Sequence, residues 1–441
     1  MPKKIPELLA PAGTLNNLGY ALAYGADAVY AGMPRYSLRV RNNNFHRLEN
    51  LAAGIERTHA AGRRFYLACN ILPHNSKVRT FMDDVAEVIA MGPDALIMAD
   101  PGLILMVRER WPHMPIHLSV QANTMNYAGV RFWEQAGLKR VILSRELSLE
   151  QVGEIRQLCP DMELEVFVHG ALCIAYSGRC LLSGYFNHRD PNQGTCTNAC
   201  RWQYDLHPGR EDGCGDTVRK EHEAPVFLLE ERTRPGEMMP VEEDEHGTYI
   251  LNSKDLRAVE YVGRLVDMGV DSLKIEGRTK SHYYVARVTQ VYRQAIDDAA
   301  AGRAFDWRLL SQLENLSNRG YTSGFFQRHP PAAYQNYARG KSEGLVQQFV
   351  GEIRGERGED GMVEVDVKNK FLVGDHLELI LPSGNHAFVL RRMEDRHGRA
   401  ISEAPGGGHR VRIPIEADGP LAMGLLARNL ERPEAVLGRH G

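Results

Sequence analysis

The sequence predicts an α/β protein whose main unit is a (β/α)8 TIM-like barrel. Three observations predict this fold. Eight short apolar runs alternate with helical segments over about the first 300 residues. The alternation is interrupted by one long cysteine-rich insertion after the seventh run. From about residue 344 the pattern changes to short alternating strands, which predict a small C-terminal antiparallel β-barrel domain.

The eight predicted barrel strands each end in a small or polar residue. They cover residues 7–10, 28–32, 65–70, 95–100, 116–121, 140–144, 164–169 and 272–276. Helices are predicted between and after them at 14–24, 78–91, 129–135, 149–157, 253–268, 281–301 and 306–320. A doubly wound open sheet is the alternative, but no phosphate-binding GxGxxG follows the first strand.

The domain boundaries follow from these patterns. The barrel is expected to occupy residues 1–335, with the insertion at about 171–250, and the C-terminal domain residues 342–441. Strands of that domain are predicted at 345–350, 362–367, 375–380 and 387–390, with a turn at 382–384. The linker is expected at 329–341, which is rich in Pro, Ala and Tyr.

Side chains alternate between the two faces of a strand, so the barrel strands predict which residues point inward. Lys274, Glu165 and Phe167 are expected inside the barrel, with His117 and Ser119, and Cys69 on the helix side. A ring of polar residues is predicted at the C-terminal mouth, where barrel enzymes place their active sites. Its members are Asn70, Asp100, Gln121, His169 and Glu276. The alternative is a hydrogen-bond network that satisfies itself and only shapes the barrel.

Four of the seven cysteines are clustered just after the seventh strand. Cys173 and Cys180 are seven residues apart, and Cys196 and Cys200 are four apart, so each pair can share a helix face. Spacing alone allows either a zinc ion or a [4Fe–4S] cluster. The position at a catalytic mouth favours a reactive cluster, whereas a single nucleophilic cysteine would not need four clustered thiols.

Composition and charge place further limits on function. The net charge of −3 means that the whole chain does not attract nucleic acid, so RNA binding would depend on local basic patches. The candidate patches are Arg35 with Arg39 and Arg41, Arg63 with Arg64, and Arg391 with Arg392. No apolar run reaches the roughly 18 residues of a membrane span, and the N-terminus does not resemble a signal peptide. A cytoplasmic protein is therefore expected.

Several motifs resemble the collagenase-like peptidase U32 family. They are ELLAPAG at 7–13, EVFVHGALC at 165–173 followed by SGRC at 177–180, and KIEGR at 274–278. The segments NQGTCTNACRW, EDEHGTYILNSKDL and VDVKNKF are most similar to a tRNA-hydroxylating branch of that family. The resemblance covers nearly the whole chain, including the C-terminal domain.

The resemblance implies a [4Fe–4S] cluster held by Cys173, Cys180, Cys196 and Cys200. It also implies formation of 5-hydroxyuridine at the tRNA wobble position, without evident need for dioxygen. Prephenate is implicated as hydroxyl donor or cosubstrate, and an electron donor is a further possible partner. The peptidase activity of the family name is not expected, because HExxH, GxSxG and a Cys–His pair at motif spacing are all missing from the sequence.

These expectations assign roles to individual residues. Glu276 and His169 are candidates for general acid–base catalysis, and Gln121 is a third catalytic candidate. Substrate binding is assigned to residues that can pair with carboxylates or hydrogen-bond a base, namely Arg278, Lys274, Arg145, Arg201 and Asn70. Alternatives are hydroxylation of a ribosomal RNA cytidine or a ubiquinone precursor, and a cluster-binding scaffold without catalysis.

Overall fold

A computed structural model describes residues 4–38, 44–172, 254–318, 320–327 and 347–430. It also describes the backbone of five short strands between residues 209 and 249. All eight strands of the barrel lie within the residues whose side chains are described.

Eight parallel strands close into a barrel, as the sequence predicts. Each of the first seven pairs with the next, and the eighth pairs with both the first and the seventh, which closes the ring. The strands are β1 (Glu7–Pro11), β2 (Ala28–Gly32), β3 (Arg64–Cys69), β4 (Ala95–Met98), β5 (Ile116–Leu118), β6 (Arg140–Ile142), β7 (Glu163–Ala171) and β14 (Ser272–Ile275).

The helices lie between these strands or follow the last of them, and they pack their apolar faces on the barrel. They are α1 (Leu15–Ala23), α2 (Leu48–Ala60), α3 (Asn75–Ala90), α4 (Pro101–Arg110), α5 (Tyr127–Gln135), α6 (Leu149–Leu158), α7 (Val262–Met268), α8 (His282–Ala300) and α9 (Arg308–Glu314). Most begin at a residue whose side chain accepts a backbone N–H of the first turn, such as Thr14 and Ser281. Ser148 and Gln151 form a full capping box at α6.

The insertion leaves and re-enters the barrel at one place. Its described strands are β8 (Gly209–Glu211), β9 (Thr217–Arg219), β10 (Phe227–Glu230), β11 (Met238–Asp244) and β12 (Gly247–Tyr249). The next strand, β13 (Asp255–Arg257), pairs antiparallel with the end of β7, so that Asp255 lies opposite Ala171. The two ends of the insertion are therefore held side by side at the mouth.

The predicted helix at 253–268 is wrong over its first half. Residues 255–257 form β13, and only Val262–Met268 is α-helical after a short 3-10 turn at Val259–Tyr261. Pairing with β7 supplies backbone hydrogen bonds that local helical periodicity could not reveal. The predicted helix at 306–320 is also shorter, because α9 ends at Glu314 and β15 (Tyr321–Thr322) pairs with β13. The predicted linker at 329–341 lies outside the described residues.

The C-terminal region is antiparallel, as expected. Seven strands form one sheet in the order β20-β19-β24-β16-β17-β23-β21. The nine strands of the region are, in chain order, β16 (Gln347–Arg354), β17 (Met362–Val367), β18 (Phe371–Leu372), β19 (His376–Leu381), β20 (Gly384–Val389), β21 (Glu394–Asp395), β22 (Glu403–Ala404), β23 (Arg410–Pro414) and β24 (Leu425–Asn429). The other two, β18 and β22, pair with each other in a separate sheet. In the described residues the edge strands β20 and β21 do not pair with each other, so hydrogen bonding does not close the predicted barrel.

This sheet has its own apolar core and is fastened to the barrel by α1 and α8. Tyr24, directly after α1, donates its hydroxyl to the carbonyl oxygen of Ile380 at 2.9 Å. Arg287 of α8 is buried and pairs with Glu378 of β19 at 2.8 Å. In the described part of the chain, no helix has both the length and the apolar character that crossing a membrane requires.

Candidate functional site

Polar groups form a hydrogen-bonded arc around the C-terminal mouth of the barrel. Arg278, just after β14, donates from Nη1 to the Ser37 hydroxyl at 2.6 Å. The adjacent Leu38 N–H donates to Asn70 Oδ1 at 3.4 Å, and Asn70 Nδ2 donates to the Ser119 hydroxyl at 3.2 Å. The arc thus connects the ends of β14, β2, β3 and β5.

The arc continues over β5 and β6 and returns to β14. The Gln121 N–H donates to Ser119 Oγ at 3.3 Å, and the Ser144 hydroxyl lies 2.7 Å from Asn123 Oδ1. Arg145 then reaches Glu276 across the mouth, with Nη2 and Oε2 3.5 Å apart. Asn70, Gln121 and Glu276 therefore lie where the sequence places them, at the ends of different strands around one opening.

Arg145 is held in place from two further directions. Its guanidinium carbon lies 3.8 Å from the centre of the Phe167 ring, and its Nη1 donates to the carbonyl oxygen of Ala171 at 2.8 Å. Phe167 points into the barrel, as the strand alternation predicts. The guanidinium group is therefore held over the Phe167 ring at the mouth and is partly neutralised by Glu276.

Arg278 depends on a close contact with the first βα loop. A Cβ atom at Gly13 would lie 1.9 Å from the Arg278 carbonyl oxygen, which is far inside any allowed contact. The Arg278 guanidinium also lies over the Tyr30 ring, at 5.6 Å from its centre. Glycine at position 13 is what lets the β14 end approach β1 closely enough to bring Arg278 to the mouth.

Lys274 does not lie at the mouth, contrary to its predicted role in substrate binding. Its side chain is 3% exposed, and Nζ donates to Glu165 Oε1 at 2.8 Å. Burial lowers the pKa of Lys274, opposed by the negative charge of Glu165. Burial raises the pKa of Glu165, but Lys274 and Arg140 outweigh it, so that pKa is lowered overall. Lys274 belongs to an ion network in the barrel interior.

His169 is also not available at the mouth. The register of β7 and β14 shifts between Lys274 and Ile275, a bulge that breaks the alternation on which the prediction rested. The His169 ring lies among three tyrosine rings, with centres 5.5 to 5.9 Å away. Burial and the charge of Arg257 lower the pKa of His169 to about 3, which favours the neutral ring at pH 7 and is far from the value that suits a general acid.

Asp100 is not part of the arc either. It is the N-cap of α4, and its carboxylate accepts the Leu103 N–H at 2.9 Å. Pro101 at the first helical position strengthens this helix start. Asp followed by Pro after an apolar run is a typical helix start. The strand predicted over 95–100 therefore ends at Met98, and α4 begins at Pro101.

Two mouth residues were missed by the sequence analysis. Asn123 follows a 3-10 turn and has left-handed backbone angles, φ 51° and ψ 53°. Glu146 contacts the Ser144 hydroxyl from the loop after β6. The sequence feature that could have identified both is the cluster of polar residues directly after the fifth and sixth strands, because these loops carry the functional residues of barrel folds.

The four cluster cysteines and Arg201 lie outside the described residues. The described chain reaches the mouth at Leu172, one residue before Cys173, and returns at Lys254. Among the described residues, no three His, Cys, Asp or Glu side chains are placed to hold a metal ion. Cys69 and Cys159 are buried, and burial raises the pKa of each thiol.

Most of the predicted basic patches are neutralised within the protein. Arg35 pairs with Asp84, Arg63 with Asp27, Arg64 with Glu7 and Arg392 with Glu394. Arg63 and Arg64 also lie at the start of β3, the end of the barrel opposite the mouth. Arg39 and Arg41 lie outside the described residues.

Comparison with known proteins gives a consistent result. The model for peptidase family U32 matches residues 13–336, and the model for the C-terminal domain of that family matches residues 346–428. The chain is 60% identical to the tRNA hydroxylation protein P of Escherichia coli over 99% of both chains. It is 57% identical to the Haemophilus influenzae protein of that name over 96% of both. A 23S rRNA 5-hydroxycytidine synthase of Escherichia coli is 30% identical over 79% of this chain and 46% of that protein.

Proposed function

The chain belongs to peptidase family U32, and from that membership we propose that it hydroxylates carbon 5 of the wobble uridine in tRNA anticodons. The observation that carries this proposal is the arc of amide, hydroxyl and guanidinium groups around the barrel mouth. Relatives that match over almost their whole length are named as tRNA hydroxylation proteins.

The mouth suits an unpaired nucleobase. Bases of an anticodon loop can be unstacked and inserted into a pocket, where proteins read their edges by hydrogen bonds and stack on their faces. Gln121 and Asn123 are partly exposed and provide amide groups for an edge, whereas the Asn70 amide is buried and bonded to Leu38 and Ser119. The guanidinium plane of Arg145, supported by Phe167, provides a surface on which a base can stack.

The same mouth can accept a small carboxylate such as prephenate, the proposed hydroxyl donor or cosubstrate. Arg145 lies beside Glu276 and Arg278 lies on the same arc at the Ser37 hydroxyl, so two guanidinium groups of the arc can pair with carboxylates. Glu276 is the proposed acid–base residue, since it is partly exposed beside Arg145. Lys274 and His169 are left out of this assignment because both are buried away from the opening.

Cys173, Cys180, Cys196 and Cys200 are the proposed ligands of a [4Fe–4S] cluster. When bound, such a cluster transfers single electrons, which would require an electron donor as a partner. The support from the described residues is positional. β7 leads to Leu172 at the mouth, and β13 holds the returning chain beside it.

Peptide cleavage has little support in the described residues. Cys69 contacts the sulfur of Met33 in the core, and the raised pKa of its thiol disfavours the nucleophilic thiolate. His117 and His169 are buried, and the pKa of each is lowered. In the part of the chain that the structure describes, His117 Nδ1 and His169 Nε2 have no hydrogen-bond partner, and His169 Nδ1 faces the Tyr292 hydroxyl instead of a serine or cysteine.

The proposal is tested in a strain that lacks this gene, grown without dioxygen to silence any dioxygen-dependent enzyme. The strain is complemented with wild type, Cys196→Ala or Cys214→Ala, and 5-hydroxyuridine-derived nucleosides in its tRNA are quantified by mass spectrometry. We expect wild type and Cys214→Ala, which lies outside the proposed ligand set, to restore the nucleosides and Cys196→Ala to fail. Unchanged nucleosides in the deletion strain would refute the proposal, and hydroxycytidine in ribosomal RNA would then be measured.

A further inference from the structure

Asn123, Ser144 and Glu146 form a short hydrogen-bonded relay on the mouth. The Ser144 hydroxyl oxygen lies 2.7 Å from Asn123 Oδ1 and also contacts Glu146 Oε2. Ser144 is buried, whereas Asn123 and Glu146 are partly exposed. Among the described residues, the one remaining polar atom of the Asn123 side chain, Nδ2, has no hydrogen-bond partner, so it is available to a ligand.

The backbone fixes where the Asn123 side chain projects. Its left-handed conformation follows the 3-10 turn Val120–Ala122, and its N–H donates to the Val120 carbonyl oxygen at 2.9 Å. The Ser144 N–H donates to the Thr124 carbonyl oxygen at 3.2 Å, which ties the β5 and β6 loops together. Asparagine tolerates this backbone better than most residues, but the side chain is placed by both loops together.

Counting protons determines how the Asn123 amide is oriented. A serine hydroxyl has one proton, and a carboxylate can only accept hydrogen bonds. The Ser144 proton therefore goes to Glu146, and Ser144 Oγ is left as an acceptor towards Asn123. A half-turn of the amide, which exchanges its oxygen and nitrogen, then places an N–H on Ser144. The carbonyl oxygen and the second N–H of Asn123 face outward as an acceptor–donor pair.

We propose that Asn123 reads the Watson–Crick edge of the substrate base and selects uracil over cytosine. This inference rests on the proposed function. Uracil presents N3–H, a donor, beside O4, an acceptor, which matches the outward carbonyl and N–H of Asn123. Cytosine in the same position presents an N3 acceptor and an N4 donor, so both contacts become repulsive. Glu146 and Ser144 are positioning residues, because they prevent the amide from turning over.

The test measures binding of the full-length protein to two anticodon stem-loop RNAs, which differ only in uridine or cytidine at the wobble position. We expect wild type to bind the uridine RNA at least about tenfold more tightly, as a bidentate amide contact discriminates by roughly that factor. Asn123→Asp presents acceptors only, so the ratio should fall by about tenfold or more. Asn16→Asp, the same change at an exposed position in α1, should leave the ratio unchanged.

Two further variants separate recognition from stability. Ser144→Ala frees the amide to turn, so the ratio should fall although the protein remains folded, and Ser144→Thr, which keeps the hydroxyl, should restore it. Asn123→Gly accommodates the left-handed backbone without an amide and should also lose the preference, even if the aspartate variant does not fold.

The binding test of Asn123 and the test of hydroxyuridine formation give separate outcomes. If wild type prefers the uridine RNA and Asn123→Asp abolishes the preference, the inference stands whether or not hydroxyuridine is formed. If Asn123→Asp and Asn123→Gly both keep the wild-type ratio, Asn123 does not read the base, even where hydroxyuridine formation supports the proposed function. A wild type with no preference between the two RNAs would also overturn the inference.

Discussion

Lys274 and Glu165 form an ion pair inside the barrel, with Nζ and Oε1 2.8 Å apart and both side chains almost fully buried. Glu165 also accepts Arg140 Nη1 at 3.0 Å, and the same Arg140 atom reaches Glu7 at 2.7 Å. The interior of this barrel is thus filled partly by charges instead of the branched apolar layers common in such folds. Buried charges of this kind are tolerated because each has a partner.

The Lys274→Met substitution should therefore destabilise the protein strongly. Removal of one partner of a buried pair costs about 3 to 5 kcal/mol, because the other charge is left without compensation. The free energy of unfolding from denaturant titration measures this loss. The double variant Lys274→Met with Glu165→Gln should be less destabilised than the sum of the two single variants. If the Lys274→Met protein had wild-type stability and weakened substrate binding, the structural role would be wrong and Lys274 would be a substrate-binding residue.

Stability should depend on pH through His117. Burial, with the positive charges of Arg140 and Lys274, holds the pKa of His117 well below its usual value. The folded protein keeps this ring neutral while the unfolded chain protonates near pH 6.5, so the contribution is present above that pH and is lost as the pH falls. The loss amounts to about 1.4 kcal/mol per pH unit below 6.5.

His117→Phe preserves a ring against Tyr66, whose centre lies 4.7 Å from that of His117, but it cannot be protonated. The free energy of unfolding measured from pH 7 to pH 5 should therefore fall less steeply in this variant than in wild type. Equal slopes in the two proteins would show that His117 is accessible to protons in the folded state.

The sequence predicts the barrel well because its strands are local apolar runs with a simple alternation. Side-chain directions are confirmed for Glu165, Phe167 and Lys274, which meet inside the barrel. The direction of a side chain does not show, however, how deeply it lies below the mouth of the barrel. Lys274 lies in β14 and Glu276 directly follows the end of that strand, yet the first is enclosed in the interior and the second lies at the opening.

The predictions from sequence fail where a residue's position depends on pairing between strands that are distant in the chain. His169 lies beyond a bulge, and residues 255–257 form a strand only because the end of β7 is their partner. Asn123 belongs to the arc through a backbone conformation that no periodicity indicates. A one-residue change in register reverses every later side chain on a strand, so such positions cannot be predicted from alternation.

Docking of the C-terminal sheet should depend on the buried Arg287. Its Nη2 pairs with Glu378 Oε2 at 2.8 Å, while Tyr283 of the same helix stacks on Phe349 of β16 with ring centres 4.8 Å apart. Arg287→Met should lower the free energy of unfolding by about 3 kcal/mol, since it leaves the partly buried Glu378 without its charged partner. A double-mutant cycle with Glu378→Gln measures the interaction energy of the pair. Additive losses in the free energy of unfolding would mean that the two side chains do not interact.

The contact between Gly13 and Arg278 gives a test of the mouth that needs no change in a functional side chain. Because a Cβ atom at position 13 would lie 1.9 Å from the Arg278 carbonyl oxygen, Gly13→Ala must push the end of β14 away from β1. We expect a loss of about 2 kcal/mol or more in the free energy of unfolding, as for other overpacked sites. Formation of 5-hydroxyuridine should fall with it, since Arg278 moves away from Ser37.

Gly263→Ala is the matched control, because a Cβ atom there would meet nothing within 4 Å and the position lies in α7. That variant should keep wild-type activity and gain up to about 1 kcal/mol in stability from the better helix former. Denaturant titration and nucleoside analysis of both variants give the comparison. If Gly13→Ala retained wild-type stability and activity, the close approach of β14 to β1 would not be what positions Arg278.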